Sequence, residues 1–208
     1  MNMSLTGLPF QFLAIVGSSL VAKHVLSVTC EFPTIGVGLI LRDPLHDPER
    51  VMELANDLLR VDIPSNTTLL TNSCLVEGIT WRHLTSSELK EEKIPSGTFG
   101  CSVHNLEEAS HAESVGAQYV TYSPVFTTSS KPATEPVGLT GLRKCLESLS
   151  IPVIALGGID SVEKAMACIK VGVGGVAGIR LSLPENSKGL IEILEAIKRY
   201  SIEIRVKC

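Results

Sequence analysis

The chain between Ile151 and Ile159 reads IPVIALGGI, an apolar run that ends in two glycines. Asp160 and Glu163 follow it with the spacing of a capping box, which is typical of the first turn of a helix. That helix is expected to end at Gly172, and a second apolar run follows it. A strand, a helix and another strand in this order predict two parallel strands that are joined by a crossover helix.

The same alternation continues over the rest of the chain. Helical segments separate the apolar runs and begin with end signals, such as Asp47 followed by Pro48 or Asn105 followed by Glu108. We expect eight strands, at Phe12–Val16, Val37–Leu41, Thr67–Leu70, Ile79–His83, Thr98–Val103, Tyr119–Tyr122, Val153–Leu156 and Gly174–Ile179. This pattern predicts the α/β class and a single (β/α)8 TIM barrel, and the alternative is an open, doubly wound sheet.

The interval between the third and fourth runs is unusually short. Eight residues, from Thr71 to Gly78, separate the two runs, and such a segment holds at most about two helical turns. We therefore expect a shortened, irregular crossover between strands 3 and 4. The length of the chain is close to the lower limit for a (β/α)8 barrel, so we also expect one domain over residues 1–208.

The composition argues against several classes of partner. The chain has 18 basic and 22 acidic residues, a net charge of −4 and 4% aromatic residues, and it contains no basic run. These values disfavour nucleic acid and anionic membranes, and no apolar segment approaches the roughly 18 residues of a membrane helix. We expect small molecules as partners. The sequence does not decide between a monomer and a homo-oligomer, because it contains no heptad pattern.

The cysteines and histidines suggest little chemistry of their own. The six cysteines form no Cys-x-x-Cys pair and have apolar neighbours, so we expect reduced, packed thiols in a cytoplasmic protein. Cys101 is expected to be such a thiol rather than a nucleophile. His104 follows a strand end and admits two interpretations, a general base or a structural histidine. The histidines lack the spacing of zinc ligands.

Active sites of barrels lie at the carboxyl ends of the strands, which here places the loops after strands 6, 7 and 8 together. Gly157 and Gly158 follow strand 7, and Gly178 lies in the last run. Glycines there allow backbone N–H groups to converge on a phosphate, although tight turns alone would also explain them. The loop at 127–132 is rich in hydroxyl groups and contains Lys131. It suits an anionic ligand or, alternatively, a solvated linker.

Four ordered stretches carry a resemblance to a known family. They read GCSVHNLEEA at residues 100–109, GAQYV at 116–120, SPVFTTSSKP at 123–132 and IPVIALGGI at 151–159. Together they resemble thiamine phosphate synthase and its TenI relatives over about residues 98–182. Before residue 98 the likeness rests on Leu41-Arg42 and on Leu70-Thr71-Asn72.

The resemblance implies a transferase of thiamine biosynthesis. The family is a TIM barrel that joins hydroxymethylpyrimidine diphosphate to hydroxyethylthiazole phosphate, and it releases diphosphate with the assistance of Mg²⁺. Thr128 and Ser130 are implied as contacts of the thiazole phosphate. Gly158 completes that site together with the backbone near Ile179 and Arg180.

For the pyrimidine diphosphate, the resemblance implies three catalytic residues, Arg42, Ser102 and Lys131. Ser102 corresponds to the serine that touches the pyrimidine amino group, whereas Lys131 and Arg42 correspond to contacts of the diphosphate. Asn72 is implied as a further contact of this substrate. Glu88 takes the place of a metal-binding aspartate and offers an oxygen ligand to Mg²⁺.

The departures from the family pattern concentrate on the pyrimidine diphosphate. Ile40 and Pro44 replace the glutamine and the lysine of the Gln-x-Arg-x-Lys motif, and Ser73 replaces an aspartate. These losses support an alternative function, a non-catalytic or regulatory barrel that binds thiazole phosphate or thiamine phosphate. A thiazole tautomerase of the TenI type is less favoured, because Pro124 stands where that enzyme has a histidine.

Overall fold

The computed structural model of the chain describes residues 7–72, 74–129 and 132–207, with side chains up to Ile204. Eight parallel strands form a closed barrel in which each strand pairs with the next and β8 pairs with β1. The strands are β1 Phe12–Val16, β2 Val37–Leu41, β3 Thr67–Asn72, β4 Trp81–Leu84, β5 Thr98–Val103, β6 Val120–Tyr122, β7 Val153–Leu156 and β8 Gly175–Gly178. The prediction of a (β/α)8 TIM barrel is confirmed.

Within the described residues, seven α-helices follow the strands. They are α1 Ser19–Thr29, α2 Pro48–Leu58, α3 Ser86–Lys90, α4 Leu106–Ser114, α5 Gly138–Ser148, α6 Val162–Val171 and α7 Ser187–Lys207. Two 3₁₀ turns, Arg180–Ser182 and Pro184–Asn186, lie between β8 and α7. The outward-facing strand residues and the apolar stripes of the helices form one continuous core, because each stripe needs an apolar surface to cover it.

The helix ends follow the sequence signals with one exception. Asp47 caps α2 by accepting a hydrogen bond from the N–H of Glu49 at 2.9 Å, and Asn105 caps α4. The N-cap of α6, however, is Ser161 and not Asp160. The Ser161 hydroxyl accepts a hydrogen bond from the N–H of Lys164 at 3.4 Å, whereas Asp160 pairs with the Lys164 ammonium at 2.8 Å.

The crossover between β3 and β4 is irregular, as predicted. Residues 74–80 contain no helix, and Val76 and Ile79 form a small antiparallel bridge across a turn. Gly78 occupies the left-handed region in this turn, with φ of 86°. β3 is two residues longer than expected, so Asn72 is the last residue of a strand.

The interior of the barrel is closed at its amino-terminal end by aromatic rings. The Phe10 ring packs edge-on against Trp81 and Tyr119, with centroids 5.7 Å and 5.3 Å apart. Gly100 on β5 makes room for this arrangement, since a Cβ at that position would lie 2.1 Å from the Tyr119 ring. The aromatic layer fills the bottom of the barrel and leaves the carboxyl end open.

The five described cysteines are free. Cys101, Cys145 and Cys168 are buried, as predicted, but Cys30 is exposed at the end of α1. Burial raises the pKa of Cys101 to about 12, with a further contribution from the charge of Glu88. The Cys101 thiol is therefore protonated at neutral pH and is a poor nucleophile. Among the described residues, no helix has the length and apolar character needed to cross a membrane.

Candidate active site

A cavity of about 1020 Å³ lies at the carboxyl ends of the strands. It is lined by all of the predicted site residues that the structure describes, which are Arg42, Asn72, Glu88, Ser102, Thr128, Gly158, Ile179 and Arg180. Ser130 and Lys131, which were also predicted to lie in the site, fall outside the described residues, as does Ser73. The cavity has two chemically different sides.

The first side, called here the backbone wall, consists of residues 157–159 and 178–180. The backbone N–H groups of Gly158, Ile179 and Arg180 have no hydrogen-bond acceptor among the residues that the structure describes. Thr128 lines the cavity on the loop after β6. Unpaired N–H groups at a loop with positive φ form the kind of concavity that binds phosphate.

Gly158 has a structural role that the sequence did not reveal. Its φ is 68°, and a Cβ there would lie 2.5 Å from the carbonyl oxygen of Thr127 and 2.7 Å from the carbonyl carbon of Phe126. The loop after β7 is also joined to the loop after β6 by a hydrogen bond from the N–H of Phe126 to the carbonyl of Gly157, at 3.0 Å. Gly158 is thus required for the contact between these two loops, in addition to any contact with a ligand.

The second side, called here the side-chain wall, consists of Arg42, Asn72, His83, Glu88 and Ser102. Arg42 follows β2, and its Nη2 lies 3.3 Å from Nε2 of His46. Its buried Nε has no hydrogen-bond partner among the described residues. Because a guanidinium group stays protonated and a buried donor needs an acceptor, Arg42 is a strong candidate for contact with an anion.

The loop that carries Arg42 is held by Asp43. The buried Asp43 carboxylate accepts hydrogen bonds from the N–H groups of Leu45 at 2.7 Å and Asp47 at 3.2 Å, and it lies 3.6 Å from Arg50. Burial opposes ionisation, but the two hydrogen bonds and the charge of Arg50 outweigh it and lower the pKa of Asp43. The Asp43 carboxylate therefore stabilises the conformation of this loop.

The fit of Mg²⁺ depends on Glu88. Within residues 7–72, 74–129 and 132–207, no group of three or more His, Cys, Asp or Glu side chains could hold a metal ion. The Glu88 carboxylate accepts hydrogen bonds from the N–H and the hydroxyl of Thr85, at 2.8 and 2.9 Å, through its Oε2 atom. One remaining carboxylate oxygen fits a Mg²⁺ that takes most of its ligands from substrate phosphates and water.

A buried hydrogen-bond network, which was not predicted from the sequence, lies beneath the cavity. His83 lies at the end of β4 with Nδ1 2.8 Å from the Tyr119 hydroxyl and Nε2 2.9 Å from the Ser102 hydroxyl. Thr121 is 3.3 Å from the same Ser102 oxygen. The amide nitrogen of Asn72 donates to the carbonyl of His83 at 2.6 Å. Burial lowers the pKa of His83 to about 3, and the charge of Arg42 adds to the effect.

The family assignment follows from the comparison with known proteins. The family model described as thiamine monophosphate synthase matches residues 13–181. The chain belongs to this family. Its match spans every strand of the barrel and both walls of the cavity, so the resemblance seen in the sequence is confirmed.

Individual members of the thiamine monophosphate synthase family resemble the chain over shorter segments. The thiamine-phosphate synthase of Pyrococcus furiosus is 45% identical over 92 residues, which cover 44% of each chain. That of Pyrococcus abyssi is 41% identical over 90 residues, or 43% of each chain. The matches thus span less than half of these curated relatives. The solved thiamine phosphate pyrophosphorylase of Pyrococcus furiosus shares the fold, with a TM-score of 0.63, 24% identity, and coverage of 92% of this chain and 96% of that one.

Several departures from the family motif lie in the cavity itself. Ile40 and Pro44 line the cavity, so an apolar surface lies beside Arg42 where the resemblance implies an amide and a cation. Pro124 also lines the cavity and has no group that could transfer a proton. His104 nearby donates its Nδ1 proton to the carbonyl of Ser123 at 2.8 Å, which fixes the orientation of the ring.

Proposed function

We propose that the chain joins hydroxymethylpyrimidine diphosphate to hydroxyethylthiazole phosphate and forms thiamine phosphate and diphosphate. Membership of the thiamine monophosphate synthase family supports this reaction. The observation that carries the proposal is that both walls belong to one cavity. The backbone wall suits a phosphate monoester, and Arg42 in the side-chain wall suits a second anion. The two substrates would then meet at the mouth of one barrel.

In the proposed reaction, the bond between the pyrimidine methylene carbon and the diphosphate oxygen breaks first. The electron pair leaves with the diphosphate, and the thiazole nitrogen then attacks the pyrimidine cation and forms the new C–N bond. Arg42 and Lys131 would stabilise the charge that develops on the departing diphosphate. The remaining task of the protein is to orient the two rings, because the step requires no covalent intermediate on the chain.

Mg²⁺ is proposed as the cofactor, with Glu88 as its protein ligand. When bound, the ion would neutralise charge on the diphosphate. The resemblance implies a further metal-binding aspartate at the position of Ser73, so one carboxylate ligand of the ion is lost here. Arg42 would therefore compensate a larger share of the diphosphate charge than it would beside an ion held by two carboxylates.

The thiazole phosphate is proposed to bind at the backbone wall. The N–H groups of Gly158, Ile179 and Arg180 would donate to its oxygens, and Thr128 and Ser130 would add hydroxyl donors. The guanidinium of Arg180, which is exposed at the cavity rim, would add a charge from the solvent side.

Turnover of both purified substrates with Mg²⁺ tests the proposal directly. We expect formation of thiamine phosphate, and absence of product from folded protein would contradict the synthase function. Arg42→Met is expected to lower kcat by about 100-fold, the equivalent of roughly 3 kcal/mol for a lost contact with a charged group. Arg60→Met is the matched control, because Arg60 follows the end of α2, is exposed, does not line the cavity and pairs with Asp57 at 4.0 Å. Its rate should equal that of the parent.

Lys131 provides a second test of the leaving-group step. Lys131→Ala should lower the rate much more than it weakens binding of the thiazole phosphate, because the Lys131 charge is proposed to act on the departing diphosphate. An equal loss of rate and of thiazole phosphate affinity would assign Lys131 to the other substrate.

A non-catalytic or regulatory barrel that binds thiazole phosphate or thiamine phosphate is the second candidate. The observation in its favour is the apolar surface of Ile40 and Pro44 in the cavity. Restoring the family residues with Ile40→Gln, Pro44→Lys and Ser73→Asp separates the two functions. A large gain of activity from an inactive parent would favour the regulatory barrel, whereas an already active parent would exclude it.

A further inference from the structure

We propose that Ser102 is held as a hydrogen-bond donor toward the cavity, so that it selects an acceptor atom of the ligand, such as a ring nitrogen. The resemblance to the family instead implies contact with an amino group, which would require Ser102 to accept. Tyr119, His83 and Thr121 set this direction as positioning residues. The choice of a pyrimidine as the ligand rests on the proposed function, whereas the direction of the hydroxyl rests on the network alone.

The first step concerns the proton between Tyr119 and His83. The two groups are 2.8 Å apart, and the Tyr119 hydroxyl has no other hydrogen-bond partner among the described residues. Tyr119 is fully buried, and burial raises its pKa well above the usual value, so it keeps its proton. If Nδ1 of His83 donated to the Tyr119 oxygen, the phenolic proton would be buried without an acceptor, which folded proteins rarely tolerate. Tyr119 therefore donates to Nδ1.

The second step follows from the chemistry of a neutral imidazole. One ring nitrogen carries the proton and the other accepts. Because Nδ1 accepts from Tyr119, the proton is on Nε2, which donates to the Ser102 oxygen 2.9 Å away. The depressed pKa of His83 keeps the ring neutral at physiological pH, so this arrangement does not change near pH 7.

The third step concerns Thr121. Its side chain is fully buried, and its hydroxyl lies 3.3 Å from the Ser102 oxygen with no other hydrogen-bond partner among the described residues. If Ser102 donated to Thr121, the Thr121 proton would be buried without an acceptor, so Thr121 donates to Ser102. The Ser102 oxygen thus accepts from His83 and from Thr121, which uses both of its lone pairs. The Ser102 proton is the donor that remains, and Ser102 lines the cavity. An amino group placed there would direct its N–H groups at the Ser102 hydroxyl proton, so two donors would face each other without an acceptor.

Further contacts hold the residues of the network in this orientation. The Tyr119 ring stacks on the His83 ring, with centroids 5.6 Å apart and 29° between the planes. Gly100 supplies the space for the Tyr119 ring, and Asn72 holds the carbonyl of His83. Three adjacent strands therefore fix the hydroxyl of one serine.

Nitrogen NMR of the full chain tests the direction of the network without any ligand. With ¹⁵N-labelled histidine, we expect His83 to be neutral with its proton on Nε2, and the His83→Gln variant assigns the signal. Tyr119→Phe keeps the ring contacts but removes the donor, so the proton should shift toward Nδ1 or divide between the two nitrogens. A proton on Nδ1 in the parent would overturn the inference.

Binding of matched pyrimidine diphosphates tests the consequence for the ligand. Calorimetry would compare the parent and Ser102→Ala with the natural pyrimidine diphosphate, two analogues in which one ring nitrogen is replaced by CH, and one analogue without the amino group. We expect one CH analogue to bind at least about tenfold more weakly to the parent, and Ser102→Ala to remove most of that difference. Loss of the amino group should weaken binding by the same factor in both proteins.

The outcomes separate the inference from the proposed function. The inference is overturned if Ser102→Ala changes the loss of affinity that follows removal of the amino group. It is also overturned if Ser102→Ala changes the loss of affinity for none of the analogues. If no pyrimidine diphosphate binds to the folded protein, the proposed function fails, and the NMR experiment still decides whether Ser102 is a donor. Affinity for hydroxyethylthiazole phosphate should stay unchanged in Ser102→Ala and Tyr119→Phe, which controls for a general loss of structure.

Discussion

The two walls of the cavity are made from different parts of the chain. The backbone wall is formed by main-chain groups in two loops, and the loop after β7 is joined to the loop after β6 by the hydrogen bond from Phe126 to Gly157. The side-chain wall is formed by long or polar side chains on β3, β4 and β5, in the loop after β2 and on α3. Most of these side chains already have a partner, such as Asn72 with the carbonyl of His83 and Glu88 with Thr85.

This difference implies that the two walls tolerate sequence change differently. A ligand site made from N–H groups tolerates many side chains but few changes of backbone conformation, so it depends on glycines at particular positions. A site made from side chains can lose its groups one at a time while the barrel remains intact. The resemblance implies that Ile40 and Pro44, which line the cavity beside Arg42, are such losses, and neither disturbs the pairing of β2 with β1 and β3.

The largest expected effect is a loss of stability at the backbone wall. Gly158→Ala places a Cβ 2.5 Å from a carbonyl oxygen at a φ of 68°, so we expect the free energy of unfolding to fall by about 3 to 5 kcal/mol. Gly172→Ala is the control, because its φ is also positive but nothing lies within 4 Å of the new Cβ. It should cost about 1 to 2 kcal/mol. Denaturant titration measures both, and equal costs would contradict the loop contact.

The fold was predictable because the barrel repeats one local pattern. Each strand and helix carried its own periodicity, and the short segment after β3 predicted the irregular crossover. The assignment of the α6 cap to Asp160 was wrong because Asp160 and Ser161 are both good cap residues and the acidic residue at 163 favoured the former. A shift of one residue at a helix end depends on the geometry of the loop, which the sequence does not specify.

The site was predictable where groups lie at strand ends and less so inside the barrel. His83, Tyr119 and Thr121 were not predicted as site residues, because none of them carries a functional signal by itself. A signal was present, since Ser102 and Thr121 alternate with outward-facing apolar residues on β5 and β6, and His83 is followed by the buried Leu84 on β4. Their mutual distances, however, depend on the register of β4, β5 and β6, and register is a property of the assembled sheet.

The next effect concerns the charge state of His83 in the side-chain wall. His83 has a pKa of about 3 in the folded protein against 6.5 for an exposed histidine. Between these values the unfolded chain binds one more proton, so this contribution to stability is complete above pH 6.5 and decreases as the pH falls. We expect a loss of about 2 kcal/mol between pH 7 and pH 5 that His83→Gln does not show. Parallel pH dependences for the two proteins would show that His83 is not buried as a neutral ring.

A smaller effect is expected for a hydroxyl group beside the backbone wall. Thr128→Val should weaken binding of hydroxyethylthiazole phosphate by about 1.5 kcal/mol, the typical loss for one hydrogen bond to a charged group. Thr127→Val is the matched control, because Thr127 is exposed and does not line the cavity. Calorimetric titration measures the two affinities. If both variants bind like the parent, the Thr128 hydroxyl does not contact the phosphate.

The smallest effect tests how the backbone wall is joined to α6. Ser161 caps this helix through a hydrogen bond of 3.4 Å, which is long for such a bond, so Ser161→Ala should lower the free energy of unfolding by about 0.5 to 1 kcal/mol. Asp160→Ala removes an ion pair with Lys164 in which the carboxylate is 53% exposed, and exposed pairs of this kind contribute at most about 0.5 kcal/mol. Because the same Lys164 ammonium lies 5.5 Å from the Phe126 ring centroid, Asp160→Ala leaves it a second contact. A larger cost for Asp160→Ala than for Ser161→Ala would mean that the loop after Gly158 enters the helix one residue earlier, and the N–H groups of the backbone wall would then point in other directions.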